Sequence, residues 1–194
     1  GQIKINPARN SSVITFDLGK VVSGRVSLNI NASGTGKIYL VYGFKQKNGV
    51  LDNERIGLKS VDVLELFKGE FAYTAFDLRT FRYLSLVFEY FQEKLLVSGL
   101  RVEEEIYLTK DNCSFSCSDS QLNKIWDASL LTTQLCCDEQ FVDNPEREHA
   151  QWMDGLIYIS TAGYYLSGEN VQKKTQKIIQ EFMLSQQSDG QLPG

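Results

Sequence analysis

The side chains best suited to chemistry stand together in one charged stretch late in the chain, Asp143-Asn144-Pro145-Glu146-Arg147-Glu148-His149. Trp152 and Asp154 follow within a few residues. A carboxylate can move protons, a guanidinium can bind hydroxyls or hold carboxylates, and an indole stacks on the apolar face of a pyranose. These residue types, gathered where apolar helices are interrupted, are the ingredients of a sugar site.

The same stretch also fits an ordinary helix start. Asn144 suits the N-cap, Pro145 suits the first helical position, and an acid follows in the first turn, where the helix dipole favours negative charge. This interpretation predicts a helix from about Pro145 to Gly168, with Glu148 and Trp152 on one face. Because capping signatures are commoner than active sites, the residues alone favour the helix start.

Composition excludes several function classes. A net charge of -4 and a pI near 5.1 argue against nucleic acid, whose phosphates select basic surfaces. No apolar run approaches the roughly 20 residues that a membrane span needs. The cysteines and the single histidine lack zinc-site spacing, so we expect no metal, no cofactor and four free, mostly buried thiols: Cys113, Cys117, Cys136 and Cys137. The chain begins with Gly, no leader follows it, and nothing indicates a compartment.

The first hundred or so residues have the pattern of strands. Short runs rich in Val, Ile, Leu, Phe and Tyr alternate with polar residues, and turn-forming segments such as 31–36 and 47–49 separate them. Short strands without intervening helices predict an antiparallel β-sandwich. The predicted strands are 13–16, 24–30, 37–42, 61–67, 81–88 and 95–102.

The pattern becomes helical near Lys110. Ser118 or Asp119 fits the N-cap of a first helix, and the Pro145 helix is the second. A third presents lysines outward and carries apolar residues on its other face. We therefore predict a multidomain β + α chain, with a β-sandwich over 1–109 and helices over 110–194. Their wide apolar faces predict self-association or weak order at the C-terminal end. The apolar positions are Leu122, Ile125, Trp126 and Leu130 in the first helix, and Val171, Ile178, Ile179 and Phe182 in the third.

The charged stretch resembles a family signature. Asp143-x-Pro145-x-Arg147-Glu148, followed by Trp152, is similar to the D-x-P-x-R-E-R-x-x-W-x-G-D motif of glycoside hydrolase family 78, the α-L-rhamnosidases. Segments 115–119 and 122–126 resemble the stretch that opens the catalytic (α/α)6 barrel of that family. Segments 16–20, 42–43 and 81–84 resemble its accessory β-sandwich. The resemblance therefore spans nearly the whole chain, in the right order.

The resemblance implies a role for each matching residue. Glu148 matches the general acid, Asp143 and Arg147 match residues that bind rhamnose hydroxyls, and Trp152 matches a wall of the sugar pocket. Asp154 is a further candidate for substrate binding. The family inverts, with a second carboxylate activating water. That carboxylate is expected outside this chain, which would hold only the first helices of a truncated barrel and be inactive by itself.

Three departures from the family pattern bear on specificity. His149 stands where the motif has Arg, and the final Gly-Asp of the motif reads Asp154-Gly155, so the carboxylate is one position early. The usual Tyr-Gly-Glu of the sandwich reads Tyr42-Gly43-Phe44. A helical barrel with the same two-carboxylate logic could act on another sugar.

Two non-catalytic interpretations remain open from the sequence. In one, the sandwich is a carbohydrate-binding module with Tyr73, Phe76 or Tyr90 as an aromatic platform. In the other, the sandwich only braces the helical barrel of an inactive relative. The partner in the enzyme interpretation is a rhamnoside, and periplasmic or extracellular action would suit the family.

Overall fold

A computed structural model of the chain describes residues 1–6, 11–52, 60–89, 91, 93–108, 113–146, 148–167 and 169–192. Contacts divide the chain into two compact units, Gly1–Glu105 and Ile106–Gly194. The first unit is built from antiparallel strands, and the second contains three helices among its described residues. The predicted fold class, a β-sandwich followed by helices, is confirmed.

The predicted strand runs all fall within strands of the first unit, except that Phe67 lies just beyond one. Four short strands were not predicted: β1, β4, β5 and β7. Each is two to six residues long, so it carries little alternation to detect. The strands are β1 (Gln2–Ile5), β2 (Ser12–Ala32), β3 (Gly36–Gly43), β4 (Gln46–Lys47), β5 (Val50–Leu51), β6 (Val61–Leu66), β7 (Gly69–Thr74), β8 (Arg79–Glu89) and β9 (Leu95–Glu104).

The strand β2 is one long strand where the sequence predicted two. Its register against β8 shifts between Asp17 and Val22. Gly19 has a φ of 77°, and its N–H donates to Asp17 Oδ1 at 2.8 Å. Arg82 donates from Nε and Nη2 to the two oxygens of Asp17, at 2.9 and 3.0 Å. Two of the segments that carry the family resemblance are thus joined by a bidentate ion pair that supports an irregular strand.

The strand β2 also changes partners along its length, which makes the sheet fold over. Its first part pairs with β8, and its part from Gly24 onward pairs with β9 on one side and β7 on the other. A Cβ at Gly24 would lie 2.4 Å from the Glu103 carbonyl oxygen, so only glycine fits at this crossing. Both parts bury side chains in one core, the arrangement of a sandwich: Val26, Leu28, Ile38, Leu40, Leu84, Leu86, Phe88 and Val97.

A polar cluster beside this core centres on the carboxylate of Asp62. Its Oδ2 accepts from Tyr42 Oη at 2.7 Å and from Tyr73 Oη at 3.3 Å, while Oδ1 pairs with Arg79 Nη2 at 2.6 Å. Burial and the neighbouring carboxylate raise the pKa of Tyr73 to about 12 and that of Tyr42 still further. One acid therefore satisfies three polar groups that the sandwich has largely removed from water.

Asp62→Ala is expected to lower the free energy of unfolding of the sandwich by about 2–3 kcal/mol, because it leaves Arg79 and the buried Tyr42 hydroxyl without this acceptor. Urea denaturation of the 194-residue chain measures the loss. Asp77→Ala is the matched control, since Asp77 also contacts Arg79, at 3.1 Å, but its side chain is 59% exposed. Equal losses in the two variants would contradict the central role of Asp62.

The helical unit contains α1 (Ser120–Leu135), α2 (Met153–Ser167) and α3 (Glu169–Ser185). Asp119 is the N-cap of α1, with its side chain accepting from the Gln121 and Leu122 N–H groups. Asn123 bonds both the N–H and the carbonyl of Cys117, at 3.0 and 2.9 Å, which fixes the segment before the helix. The core of the unit lies around α2 and α3: Leu108, Cys137, Phe141, Leu156, Leu166, Val171, Ile178 and Phe182.

Several apolar positions on the helices stay exposed. No residue of α1 is buried, and Ile179 of α3 is 44% exposed although it was expected on the core face. Lys174 of α3 is half-buried rather than outward, with Nζ 4.1 Å from the centre of the Tyr107 ring. All four cysteines are free, as predicted. None of the described helices has the length and hydropathy to cross a membrane.

The predicted helix from Pro145 is wrong, because α2 begins only at Met153. Gly168, the predicted end, lies outside the described residues, and α2 is described to Ser167. Residues 145, 146 and 148 form turns, and His149 adopts a φ of 51°, which a right-handed helix cannot contain. Glu148 and Trp152 therefore do not share a helix face.

Candidate active site

The candidate site lies in the irregular segment between α1 and α2. Cys136 caps the end of α1, and Cys137 forms an antiparallel bridge with Phe141. Phe141 and Val142 are fully buried. Two apolar anchors thus fix the chain immediately before Asp143, so the charged stretch starts from a defined point.

Residues 143–150, which we call the acid turn, close on themselves through their two ends. The Asp143 N–H donates to the Ala150 carbonyl at 3.1 Å, and the Ala150 N–H donates to Asp143 Oδ1 at 3.2 Å. Inside the turn, Asn144 Oδ1 accepts from the Glu146 N–H at 2.9 Å. The Asn144-Pro145 pair therefore caps a turn rather than a helix.

The carboxyl groups of Asp143 and Glu148 are hydrogen-bonded across the acid turn. Partial desolvation alone would raise the pKa of Asp143, but the bonds from Glu148 and from the Ala150 N–H hold it below its ordinary value. Two carboxyl groups in this contact share a proton, because both cannot be ionised comfortably at that distance. The turn therefore presents one ionised and one protonated carboxyl side by side.

The far end of the acid turn reaches back to Asp138, just after α1. His149 Nε2 lies 2.7 Å from Asp138 Oδ2, and Asp138 Oδ1 accepts from the Gln140 N–H at 2.9 Å. Asp138 is buried, which by itself raises its pKa, yet these two hydrogen bonds and the charge of Lys174 bring the pKa below the ordinary value. An anion is thus held at the base of the turn.

A groove of about 570 Å³ runs between α1 and α2 beside the acid turn. Asp143 and Asp154 both line it, together with the ring of Tyr158 and the hydroxyl residues Ser129, Thr132 and Thr133. Carboxylates, hydroxyls and an aromatic ring are the groups that bind sugars. Asp154 lies in the first turn of α2, where its Oδ1 accepts from the Gly155 N–H at 2.8 Å.

The structure thus brings together three of the five predicted site residues: Asp143 bonds Glu148, and Asp154 shares the groove with Asp143. Trp152 stands just before α2, 36% exposed. Arg147 lies outside the described residues. Sequence reasoning missed Asp138, which no motif marks. No group of three or more His, Cys, Asp or Glu that could hold a metal occurs in the part of the chain that is described.

Glu148→Ala is expected to raise the pKa of Asp143 toward the ordinary value near 3.9, because the variant removes the hydrogen bond that helps to keep Asp143 ionised. Carboxyl ¹³C NMR titration of the chain measures this directly. The folding stability that comes from Asp143 is present above the ordinary value, and it is lost as pH falls through the lower folded pKa.

Glu146→Ala is the matched control for that titration, since Glu146 is a neighbouring acid that is not a cause of the shift. It should leave the Asp143 titration unchanged. If Glu148 were only a nearby unbonded anion, its removal would lower the pKa of Asp143 instead. The sign of the change therefore decides whether the carboxyl contact exists.

The helical part of the chain matches a known family. Residues 110–194 match the family model of the bacterial alpha-L-rhamnosidase six-hairpin glycosidase domain. No curated protein sequence matches the chain.

Solved structures match the chain across both units. A family 78 rhamnosidase of Bacillus sp. GL1 is 25% identical with a TM-score of 0.76, over 86% of this chain and 18% of that one. A rhamnosidase from Klebsiella oxytoca with rhamnose bound is 19% identical, with a TM-score of 0.69 and coverage of 88% and 36%. An α-L-rhamnosidase from Dictyoglumus thermophilum is also 19% identical, with a TM-score of 0.68 and coverage of 98% and 21%.

The fold and the family match define a class, the six-hairpin glycosidases with a preceding β unit. Within that class the chain is related to the α-L-rhamnosidases of glycoside hydrolase family 78, which confirms the resemblance seen in the sequence. The chain spans between 18% and 36% of the length of the three matched structures.

Proposed function

We propose that the complete protein is a glycoside hydrolase that cleaves terminal α-L-rhamnosides with inversion, and that Glu148 is its general acid. The observation that carries this proposal is the carboxyl contact between Asp143 and Glu148 in a closed turn beside a sugar-sized groove. The family relationship supplies the sugar. The chain contributes the acid and part of the sugar pocket.

Glu148 is the member of the pair that holds the proton. The pKa of Asp143 is lowered by the bond from Glu148, so Asp143 is the ionised partner and Glu148 is the donor. A carboxylic acid fixed in this way can pass its proton to the departing glycosidic oxygen. Asp143, ionised and already oriented by the Ala150 N–H, is left to accept from sugar hydroxyls.

Distance separates the acid–base pair of the reaction from this carboxyl pair. Inverting glycosidases keep their two carboxyl groups roughly 6.5–9.5 Å apart so that a water fits between them, and retaining ones about 5–5.5 Å apart. Asp143 and Glu148 are in direct hydrogen-bonding contact, which is closer than either arrangement. The base that activates water is therefore another carboxylate, which we place outside residues 143–154.

The remaining candidates would complete the sugar pocket. We assign Arg147 to hydroxyl binding and Trp152 to a pocket wall. Asp154 already lines the groove beside Asp143, one position before the site that the family motif gives to an acid. The carboxylate is also engaged by the Gly155 N–H at 2.8 Å, so its displacement makes it the residue best placed to alter sugar preference.

The binding-module alternative has less support among the described aromatic residues. The hydroxyl of Tyr73 is engaged by Asp62 and its side chain is half-buried, so it is part of the sandwich. Phe76 is 93% exposed. Tyr90 lies outside the described residues. One exposed ring does not make a platform for a pyranose.

Glu148→Gln in the complete protein is expected to reduce hydrolysis of an alkyl α-L-rhamnoside by on the order of a hundredfold or more, the loss expected when a general acid is removed. The loss should be much smaller for a dinitrophenyl rhamnoside, because that leaving group departs without a proton. Steady-state kinetics on both substrates measure the difference.

Two control variants give this experiment its meaning. Glu146→Gln should keep most activity on both substrates, and Phe76→Ala should leave KM unchanged. A Glu148→Gln variant as active as Glu146→Gln on the alkyl rhamnoside would make the acid turn a structural feature only. A large rise in KM on loss of Phe76 would favour the binding module.

The 194-residue chain alone is expected to be inactive and to self-associate. Its three described helices leave large apolar side chains of α2 exposed, among them Ile157 at 61%, Tyr158 at 72% and Tyr165 at 69%. Sedimentation velocity should show concentration-dependent oligomers that Tyr158→Lys with Tyr165→Lys reduces. A strictly monomeric chain at about 100 μM would contradict the expectation, since weak association of apolar surfaces falls in this range.

A further inference from the structure

We propose that His149 and Asp138 form a positioning pair that holds the acid turn closed and so keeps Glu148 in its place for proton transfer. The structural part of this inference stands on the geometry of the chain. Its kinetic part rests on the proposed function, in which Glu148 is the general acid.

The pair ties the turn to a fixed point in the fold. His149 directly follows Glu148, and its Nε2 lies 2.7 Å from Asp138 Oδ2. Asp138 follows the C-cap of α1 by two residues and sits next to Cys137, which is 2% exposed. The contact therefore connects the residue beside the acid to the end of a helix rather than to another mobile side chain.

Asp138 is itself held in one orientation. Its Oδ1 accepts from the Gln140 N–H at 2.9 Å, and its own N–H donates to the Gln140 carbonyl at 3.1 Å. Its side chain is only 12% exposed. Lys174 from α3 and the Cys137 thiol face it from the other side, and His149 faces it from the turn. A largely desolvated anion with a fixed direction is an effective anchor for an imidazole N–H.

The backbone of His149 shows why the anchor matters. Its φ of 51° lies in the left-handed region, which costs a residue other than glycine about 1 kcal/mol or more. That conformation returns the chain so that the next residue, Ala150, meets Asp143 at 3.1 and 3.2 Å. If His149 lost its anchor, the backbone could relax, the closing bonds would lengthen and Glu148 would shift.

Kinetics of the complete protein test the positioning role. His149→Ala and Asp138→Asn should each lower kcat on an alkyl rhamnoside about 10- to 100-fold, since a displacement of about 1 Å can cost that much, while KM changes less than about threefold. The double variant should be no worse than the poorer single variant. His149→Gln, which keeps a neutral N–H donor, should recover most of the loss.

Glu139→Gln is the matched control, because Glu139 is an exposed acid of the same turn whose side chain makes none of the contacts described above. Its kcat should equal that of the unsubstituted protein. His149→Ala and Asp138→Asn at the level of Glu139→Gln would overturn the inference. A fully active Glu148→Gln variant would instead overturn the proposed function, so the two failures are distinguishable.

A measurement on the 194-residue chain tests the structural part without activity. His149 is the only histidine, so its imidazole resonances are assigned without ambiguity. The ring should titrate at lower pH in Asp138→Asn than in the unsubstituted chain, because it loses an anionic partner. The amides of Asp143 and Ala150 should exchange at least tenfold faster with solvent. An unchanged ring titration and unchanged exchange would refute the pair, even if the kinetic variants fold poorly.

Discussion

The candidate site depends on one reciprocal contact, the pairing of the Asp143 N–H with the Ala150 carbonyl and of the Ala150 N–H with Asp143 Oδ1. This contact turns eight charged and polar residues into a closed structure instead of the first turns of a helix. It also uses one oxygen of Asp143, which leaves the rest of that carboxylate to meet Glu148. Without the closure, the two acids would have no reason to be neighbours.

The contact between the two acids limits the chemistry that they can do. A hydrogen-bonded carboxyl pair is too close to hold a water between its members, so it cannot serve as the two carboxylates of an inverting hydrolase. It can keep a proton on Glu148 while Asp143 stays ionised. The turn is suited to half of the reaction, the protonation of the leaving group, and the water-activating base must come from elsewhere.

The sequence predicted the sandwich, the N-cap at Asp119 and the resemblance to family 78, because alternation, capping residues and motif order are local signals. It failed at the acid turn, where Asn144-Pro145 has the same composition whether it starts a helix or a closed turn. Only the distant partner Ala150 and the left-handed backbone of His149 decide between them. Asp138 could not be found from spacing, since its role comes from a side chain that returns to it through the fold. Likewise, Asp17 and Arg82 lie far apart in the sequence but pair in the sandwich.

The most direct test of this account is the position of L-rhamnose in a crystal structure of the complete protein. We predict that sugar hydroxyls lie about 3 Å from the Asp143 carboxylate, with the Glu148 carboxyl next to the anomeric oxygen. The acid turn should keep its Asp143–Ala150 closure in that complex. Rhamnose bound to the sandwich, or bound among the helices without contact to residues 143–154, would contradict the central claim that the acid turn carries the catalytic acid.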